Sequence, residues 1–411
     1  MRRQRLFWLI SVSRYFLDDM DTRYDIVVVG GGAAGIMAAW SAAHHGAHVA
    51  LVEAAPACGG IVRHGLQRWL CGLFPCDVNQ PTEFLHGEGV ERFCRLLVRD
   101  DPRKQAVRRG RVWLLPIASG ENFSASGQAL LATVPTLDLF TQDPVVAATR
   151  SSSETSTPAK IVAVTLQSGK VLEASCFIDC TGQAEFSRLA GAQIVTPQEP
   201  ALSGYGFEVE GLRLLEASAL GLAIDVPKVC RAGVESGVLA RETLYTTCEV
   251  SADPSCAWVR MALPAGVRAH EARAAAQTLF SFLKCQLPTF KESCLRTLVP
   301  YPLMREAPRM SGRYLLNETD VLSARTFDDA IVRNSWPIER WDPERGIRYG
   351  YLPEGRWHEI PARCLQPVQG PSNLLCAGMM LSADSAAQAS IRVIGTCMAT
   401  GEAAGKLAVH V

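Results

Sequence analysis

Three glycines and one carboxylate carry the clearest chemistry in the sequence. Gly30, Gly32 and Gly35 are spaced as Gly-x-Gly-x-x-Gly, and Glu53 follows at about the twenty-residue distance expected of a ribose-binding acid. The pattern suits a pyrophosphate. Gly30 permits a tight turn, Gly32 lets phosphates approach the backbone, and Gly35 lets the next helix lie close to the strand. Glu53 leads through Ala54 to a Gly59-Gly60 pair. A Gly-Gly placed there suits a chain passing beneath a flat ring system, which favours FAD over NAD.

These residues work only if regular elements hold them. Tyr24 to Val29 is an apolar run that reads as a strand feeding the glycine turn, and Ile36 to Ala43 reads as the following helix. Its N-terminal amides, with Ala33 and Ala34 just ahead, would face the phosphates. His48 to Glu53 reads as the second strand, completing a βαβ unit. Residues 26–43 carry no charge and are long enough to raise the question of a membrane span, but three adjacent glycines after a strand argue for the nucleotide unit.

With 411 residues the chain is long enough for two or three domains and a sizeable core. Lys plus Arg equals Asp plus Glu at 41 each, so no broad basic field would draw it to nucleic acid. The 14 cysteines are scattered singly, without zinc or iron–sulfur spacing. They read as reduced, buried thiols in a cytoplasmic protein, and no metal site is expected. Met1 to Ile10 has a basic start and a short apolar stretch, but Arg14, Asp18 and Asp19 follow where a cleavage site would be needed. Residues 1–21 are therefore expected to be a flexible leader, with Met20 as an alternative start.

Further along, Ser124 to Leu131 looks helical, Leu137 to Phe140 reads as a strand, and Val145 to Ala148 and Ile161 to Val164 read as strands around a polar hairpin tip at 151–156. The arginine-rich stretch 103–111 reads as a solvated face. Phe177 to Gly182 is an apolar strand ending in Thr181-Gly182, and Asn373 to Gly378 is another ending in glycine. Ala399 to Val409 is rich in small residues and reads as a helix able to pack tightly on the sheet.

With these segments in view, the chain resembles the FAD-dependent oxidoreductase family related to the glutathione-reductase-type and fumarate-reductase-type flavoproteins. The likeness rests on the first glycine turn, Phe177 to Glu185, Arg305 to Gly312, Asn373 to Gly378, and Arg392 to Gly405, and runs from about residue 22 to the end. The chain departs from the family pattern at Gln183, Ala184 and Glu185, where Asp, Gly and Asp are usual. Met379 replaces an Arg, and Trp341 stands where relatives often carry a histidine. Gly182 therefore carries over, whereas a carboxylate contact at 183 does not.

The resemblance implies a Rossmann-like α/β fold with three layers around a parallel sheet and an inserted α+β substrate domain. The FAD-binding domain would be discontinuous, over 22–200 and 301–411, with the substrate domain at 201–300. The cofactor set comprises Gly30, Gly32, Ala33, Ala34, Gly35, Glu53, Ala54, Gly59, Gly60, Val145, Thr181, Gly182, Gly378, Gly395, Cys397 and Met398. The implied activity is hydride exchange between a small organic substrate and flavin N5. Arg309 and Arg392 lie in the flavin-proximal segments, where a guanidinium would clamp a carboxylate or polarise a carbonyl. His358 and Tyr351, just ahead of the last cofactor segments, are candidates for proton transfer, and His64 is placed near enough to the Gly-Gly to reach a flavin edge.

Two other readings stay open. One is an FAD-binding protein without turnover of its own. The other is a pyridine nucleotide-disulfide reductase, because Cys71 and Cys76 reproduce the four-residue gap of its redox pair. Against that, ten residues separate Gly60 from Cys71, and 100–300 hold no second Gly-x-Gly-x-x-Gly for NADPH. The expected partner is a small molecule, with no nucleic acid and no membrane span; a homo-oligomer is allowed.

Overall fold

The computed structural model describes residues 23–65, 67–77, 79–151, 159–198, 201–213 and 219–411. The leader at 1–21, Met20 and most of the hairpin tip lie outside them. The central sheet begins with β1 (Arg23–Val29), β2 (Val49–Glu53), β3 (Leu137–Thr141), β4 (Val145–Arg150), β5 (Ile161–Leu166) and β6 (Val171–Asp179). They lie in the order β3-β2-β1-β6-β5-β4, and a seventh strand, Leu374–Cys376, pairs with β6. The strands β3, β2, β1, β6 and Leu374–Cys376 run parallel. β5 is antiparallel to β6, and β4 to β5.

The parallel central sheet that the resemblance implies is thus a mixed one. The reason is local: β5 returns into β6 through a tight turn in which Gly169 has φ +89 and donates its N–H to the Leu166 carbonyl. Ile26 to Val29 are buried, as expected of a strand covered on both faces, which explains the charge-free run at its end. After Val29 the chain turns at Gly30, φ +98, and enters α1 (Ala33–His44). In α1, Ile36, Met37 and Trp40 are buried, each contributing about 2 kcal/mol by leaving water.

A second body follows, with its own hydrophobic core. The strands β7 (Ser203–Glu210), β8 (Thr247–Val250), β9 (Ala257–Leu263) and β10 (Cys294–Leu298) form an antiparallel sheet in the order β8-β9-β7-β10. The helices α2 (Ala219–Glu235) and α3 (Ala269–Gln286) belong to this body. Tyr205, Phe207 and Val209 of β7 join Val226, Leu279 and Leu283 in its core. Period-two alternation therefore turns Gly204 and Gly206 to the opposite face of the sheet.

The chain then returns to the first body and ends with α4 (Ser385–Ile391) and α5 (Ile394–Ala408). The sequence expectation placed the last helix at Ala399; it starts earlier, at Ile394, because Thr396, Cys397 and Met398 are buried residues of the same helix. A Cβ on Gly401 would overlap the Ala34 carbonyl, and one on Gly405 the Ala38 carbonyl. Those two glycines let α5 lie directly on α1.

Candidate functional site

The carboxyl ends of four neighbouring strands are tied together by the backbone. Gly30 N–H donates to Val52 O at 2.7 Å, Cys180 N–H to Val29 O at 2.8 Å, and Ala377 N–H to Asp179 O at 2.9 Å. The chain leaves β1 towards β2 on one side, with β6 on the other, so a crevice opens at a topological switch point. A cleft of about 730 Å³ occupies this place and extends to β7 and β9 of the second body.

One part of the cleft is made mainly of backbone. Gly30, Gly32, Ala33, Ala34, Glu53, Ala54, Gly60, Val145, Thr181, Gly182 and Gly378 all line it. A Cβ on Gly30 would come within 2.6 Å of the Cys180 carbonyl oxygen, and one on Gly35 would overlap the Gly30 carbonyl, so both positions demand glycine for packing. Gly32 is different. A Cβ there would meet no protein atom within 4 Å, so packing alone does not require glycine at this lining position. The amino end of α1 has no side-chain cap and no acidic residue in its first turn, which suits phosphate oxygens. Glu53 Oε2 accepts the Gly31 N–H at 2.6 Å and Oε1 accepts the Ala55 N–H at 2.7 Å. Each oxygen keeps a further lone pair for a ribose diol.

The Thr181-Gly182 turn is held from below by Asp179. Its Oδ1 accepts the N–H and Oγ–H of Thr181 at 2.9 and 2.7 Å, and its Oδ2 accepts those of Ser187, both at 2.6 Å. Burial raises the Asp179 pKa, opposed by these four donors.

The other part of the cleft is made of side chains from distant segments: Arg260, Arg305, Trp336, Glu339, Trp341 and Arg392. The Arg305 guanidinium stacks 3.6 Å from the Trp341 ring centroid and donates to the Leu202 carbonyl at 2.9 Å. Arg392 Nη2 donates to the Glu339 carbonyl at 3.1 Å, while its Nε is buried without a partner among the described residues. Glu339 accepts the indole N–H of Trp341 at 2.7 Å and that of Trp336 at 3.4 Å. Loss of solvent pushes Arg305 down to about 9, with Arg392 and Arg260 adding to the effect and Glu339 opposing it. Arg392 is lowered by the same desolvation.

Several expected residues lie elsewhere. Arg309, only 4% exposed, does not line the cleft. Its Nη1 pairs with Glu306 at 3.1 Å and donates to Gln388 at 2.6 Å, a structural ion pair. His358 is fully buried away from the cleft, its Nε2 2.8 Å from Asn334 Nδ2, and burial lowers its pKa to about 4. Tyr351 is 37% exposed, stacked against Tyr349 and under Arg111, also outside the cleft. His64 lies near Tyr301 without lining the cleft. Of the expected cofactor residues, Cys397 lines it, whereas Gly35, Gly59, Gly395 and Met398 support it from behind. Gly59 N–H donates to Gly31 O, Gly395 N–H donates to Cys71 O, and Met398 is fully buried.

Sequence reasoning missed Arg305, Glu339 and Arg260. Arg305 stands four residues before Arg309 in the same segment, and nothing in the local pattern separates the two. Both cysteines of the proposed redox pair are free thiols. Cys71 lines the cleft, and its surroundings push the thiol up to about 12, mainly by excluding solvent. Cys76 donates to the Ser335 carbonyl at 2.9 Å and is raised by burial to about 11.

The profile of the family described as FAD dependent oxidoreductase matches residues 25–411. The chain belongs to that family. The cofactor of this oxidoreductase is FAD, and the glycine turn, the uncapped α1 and Glu53 fit its phosphates and ribose. The match is to the family as a whole and does not extend to the glutathione-reductase or fumarate-reductase type. No curated protein sequence matches the chain. Among solved structures, a geranylgeranyl bacteriochlorophyll reductase-like protein from Thermoplasma acidophilum aligns over 94% of this chain and 77% of its own, at 14% identity and a TM-score of 0.46. The p-nitrophenol 4-monooxygenase of Pseudomonas putida aligns over 72% of this chain and 71% of its own, at 13% identity and a TM-score of 0.42. Among the described residues of this flavoprotein, no helix is long and apolar enough to cross a membrane.

Proposed function

We propose that the protein exchanges a hydride between a small organic substrate and FAD. The observation that carries this reading is the continuity of one cleft from the phosphate-suited turn at Gly30–Ala34 to the side-chain cluster around Arg305, Arg392 and Glu339. When bound, FAD supplies a two-electron couple that accepts or donates hydride at N5. The chain's own residues bind and orient. Gly32 and the α1 amides would hold the pyrophosphate, Glu53 the ribose, and Thr181-Gly182 and Gly378 the approach to the ring.

Arg392 and Arg305 take the substrate-orienting role for which Arg309 and Arg392 were the sequence candidates. Glu339, with its carboxylate held by two indole N–H groups, is the carboxylate in this part of the cleft suited to move a proton. Residues 22–200 and 301–411 act in this reading as the cofactor body, and 201–300 as the substrate body, whose β7 and β9 supply Gly204, Gly206 and Arg260 to the cleft. The cysteine pair is set aside, because Cys71 lines the cleft while Cys76 does not and directs its thiol to the Ser335 carbonyl.

The test is anaerobic. The purified protein is expected to show an oxidised-flavin spectrum, to release FAD on acid precipitation, and to bleach when a matching organic donor is added. Bound FAD that dithionite reduces, but that no organic donor bleaches and no organic acceptor reoxidises across a broad metabolite set, would favour a binding protein without turnover.

A further inference from the structure

The charge balance of the cleft is uneven. Around Arg305, three arginines line it against one carboxylate, Glu339. Arg260 has a counter-ion, Glu249, at 3.5 Å, which Arg109 shares. Among the described residues, Arg305 and Arg392 have no carboxylate within ion-pairing distance, and their hydrogen bonds go to backbone carbonyls. Arg392 Nε is buried and has no hydrogen-bond partner among the described residues. Two half-buried guanidiniums that line one cleft without a carboxylate partner are a costly arrangement unless an anion joins them.

The surroundings narrow the kind of anion. Arg305 is pinned flat between the Trp341 ring and the bare strand at Gly204, where a Cβ would stand 3.2 Å from Nη2. Leu303, Met304, Trp336 and Trp341 line the cleft beside it. A planar guanidinium fork matches a planar two-oxygen group, and the apolar neighbours suit a carbon body behind that group. A compact, fully hydrated dianion would instead meet Glu339 and apolar walls.

We propose that Arg305 and Arg392 form a carboxylate-binding subsite, so that the substrate of this oxidoreductase is an organic acid with an apolar or aromatic body. The proposal rests on the hydride-exchange reading above and adds the class of substrate. Trp341 positions Arg305, and Gly204 keeps the strand flat beneath it.

The experiment titrates the FAD-loaded protein with sodium benzoate, sodium acetate and inorganic phosphate, and follows the flavin difference spectrum. Benzoate is expected to saturate and to bind more tightly than acetate or phosphate. Arg305→Gln and Arg392→Gln are each expected to weaken benzoate at least tenfold, Arg392→Lys to weaken it less, and the distant Arg363→Gln to leave it unchanged. Thermal shift by benzoate on the FAD-free chain gives a second readout for any variant that loses colour. No saturable benzoate signal in either readout, unchanged benzoate affinity in both Gln variants, or tighter binding of phosphate would overturn the subsite. A wild-type chain that takes up no FAD yet is stabilised by benzoate through Arg305 and Arg392 would remove the hydride-exchange reading and keep the subsite.

Discussion

The two parts of the cleft are built on different principles. Around Gly30 and Glu53 the ligand-facing groups are largely backbone amides, and the side chains matter mostly by being absent. Around Arg305 the lining groups are long side chains drawn from β9, the segment before Arg309, the strand Ile338–Asp342 with Glu339 and Trp341, and Arg392 between α4 and α5. The core of the first part, from Gly30 to Glu53, is fixed by chain geometry within some thirty residues, and Thr181-Gly182 and Gly378 complete it from later strands. The second exists only once the whole chain has folded. If, as proposed, the backbone part takes the cofactor and the side-chain part the substrate, the second can change without disturbing the first.

The largest effect is expected where the backbone part is struck. Gly35→Val places atoms on the Gly30 carbonyl and should cost about 4 kcal/mol or more, with loss of bound flavin. Denaturant unfolding and the flavin-to-protein absorbance ratio would measure it, and a stable, yellow variant would break the distinction drawn here. Next comes Arg309→Met, which leaves Glu306 buried without its partner and should cost about 3 kcal/mol. Because Arg309 lies outside the cleft, the surviving folded protein should keep its flavin spectrum and its benzoate affinity; a selective loss of benzoate would place Arg309 in the functional machinery after all. The smallest effect is Glu53→Gln. It turns one of the two oxygens that accept the Gly31 and Ala55 N–H groups into a donor, so it should cost about 1 kcal/mol of stability and weaken FAD about tenfold, or about 1.4 kcal/mol, read by fluorescence titration of the FAD-free chain.

What was legible in the sequence follows the same division. The strands and turn from Tyr24 to Glu53 carry their instructions in adjacent residues: an apolar run, glycines at forced conformations, and an acid at the next strand end. Thr181-Gly182 and Gly378 were legible for the same reason, each being a strand followed by a residue with a backbone requirement. Arg305 and Arg309 look alike in sequence, and only the third dimension turns one to the cleft and the other to Glu306 and Gln388. His358 reads as a proton carrier by type, yet its burial beside Asn334 depresses its protonation and removes it from solvent. The start of α5 was hidden because Ile394 to Met398 form helix through burial, with Gly395 against Cys71–Gly72 and Thr396 bonded to Asn334, which outweighs the modest intrinsic preference of Ile, Thr and Cys.

The seating of α5 on α1 through Gly401 and Gly405 also sets an order of events during biosynthesis. The turn at Gly30 leaves the ribosome early, but the helix that covers α1, and the strand Leu374–Cys376 beside β6, emerge only after the whole second body. Until then the buried face of α1 is open to other chains and to chaperones. The nucleotide crevice, which Gly378 helps to line, is therefore complete only when the last segment of the chain has been made.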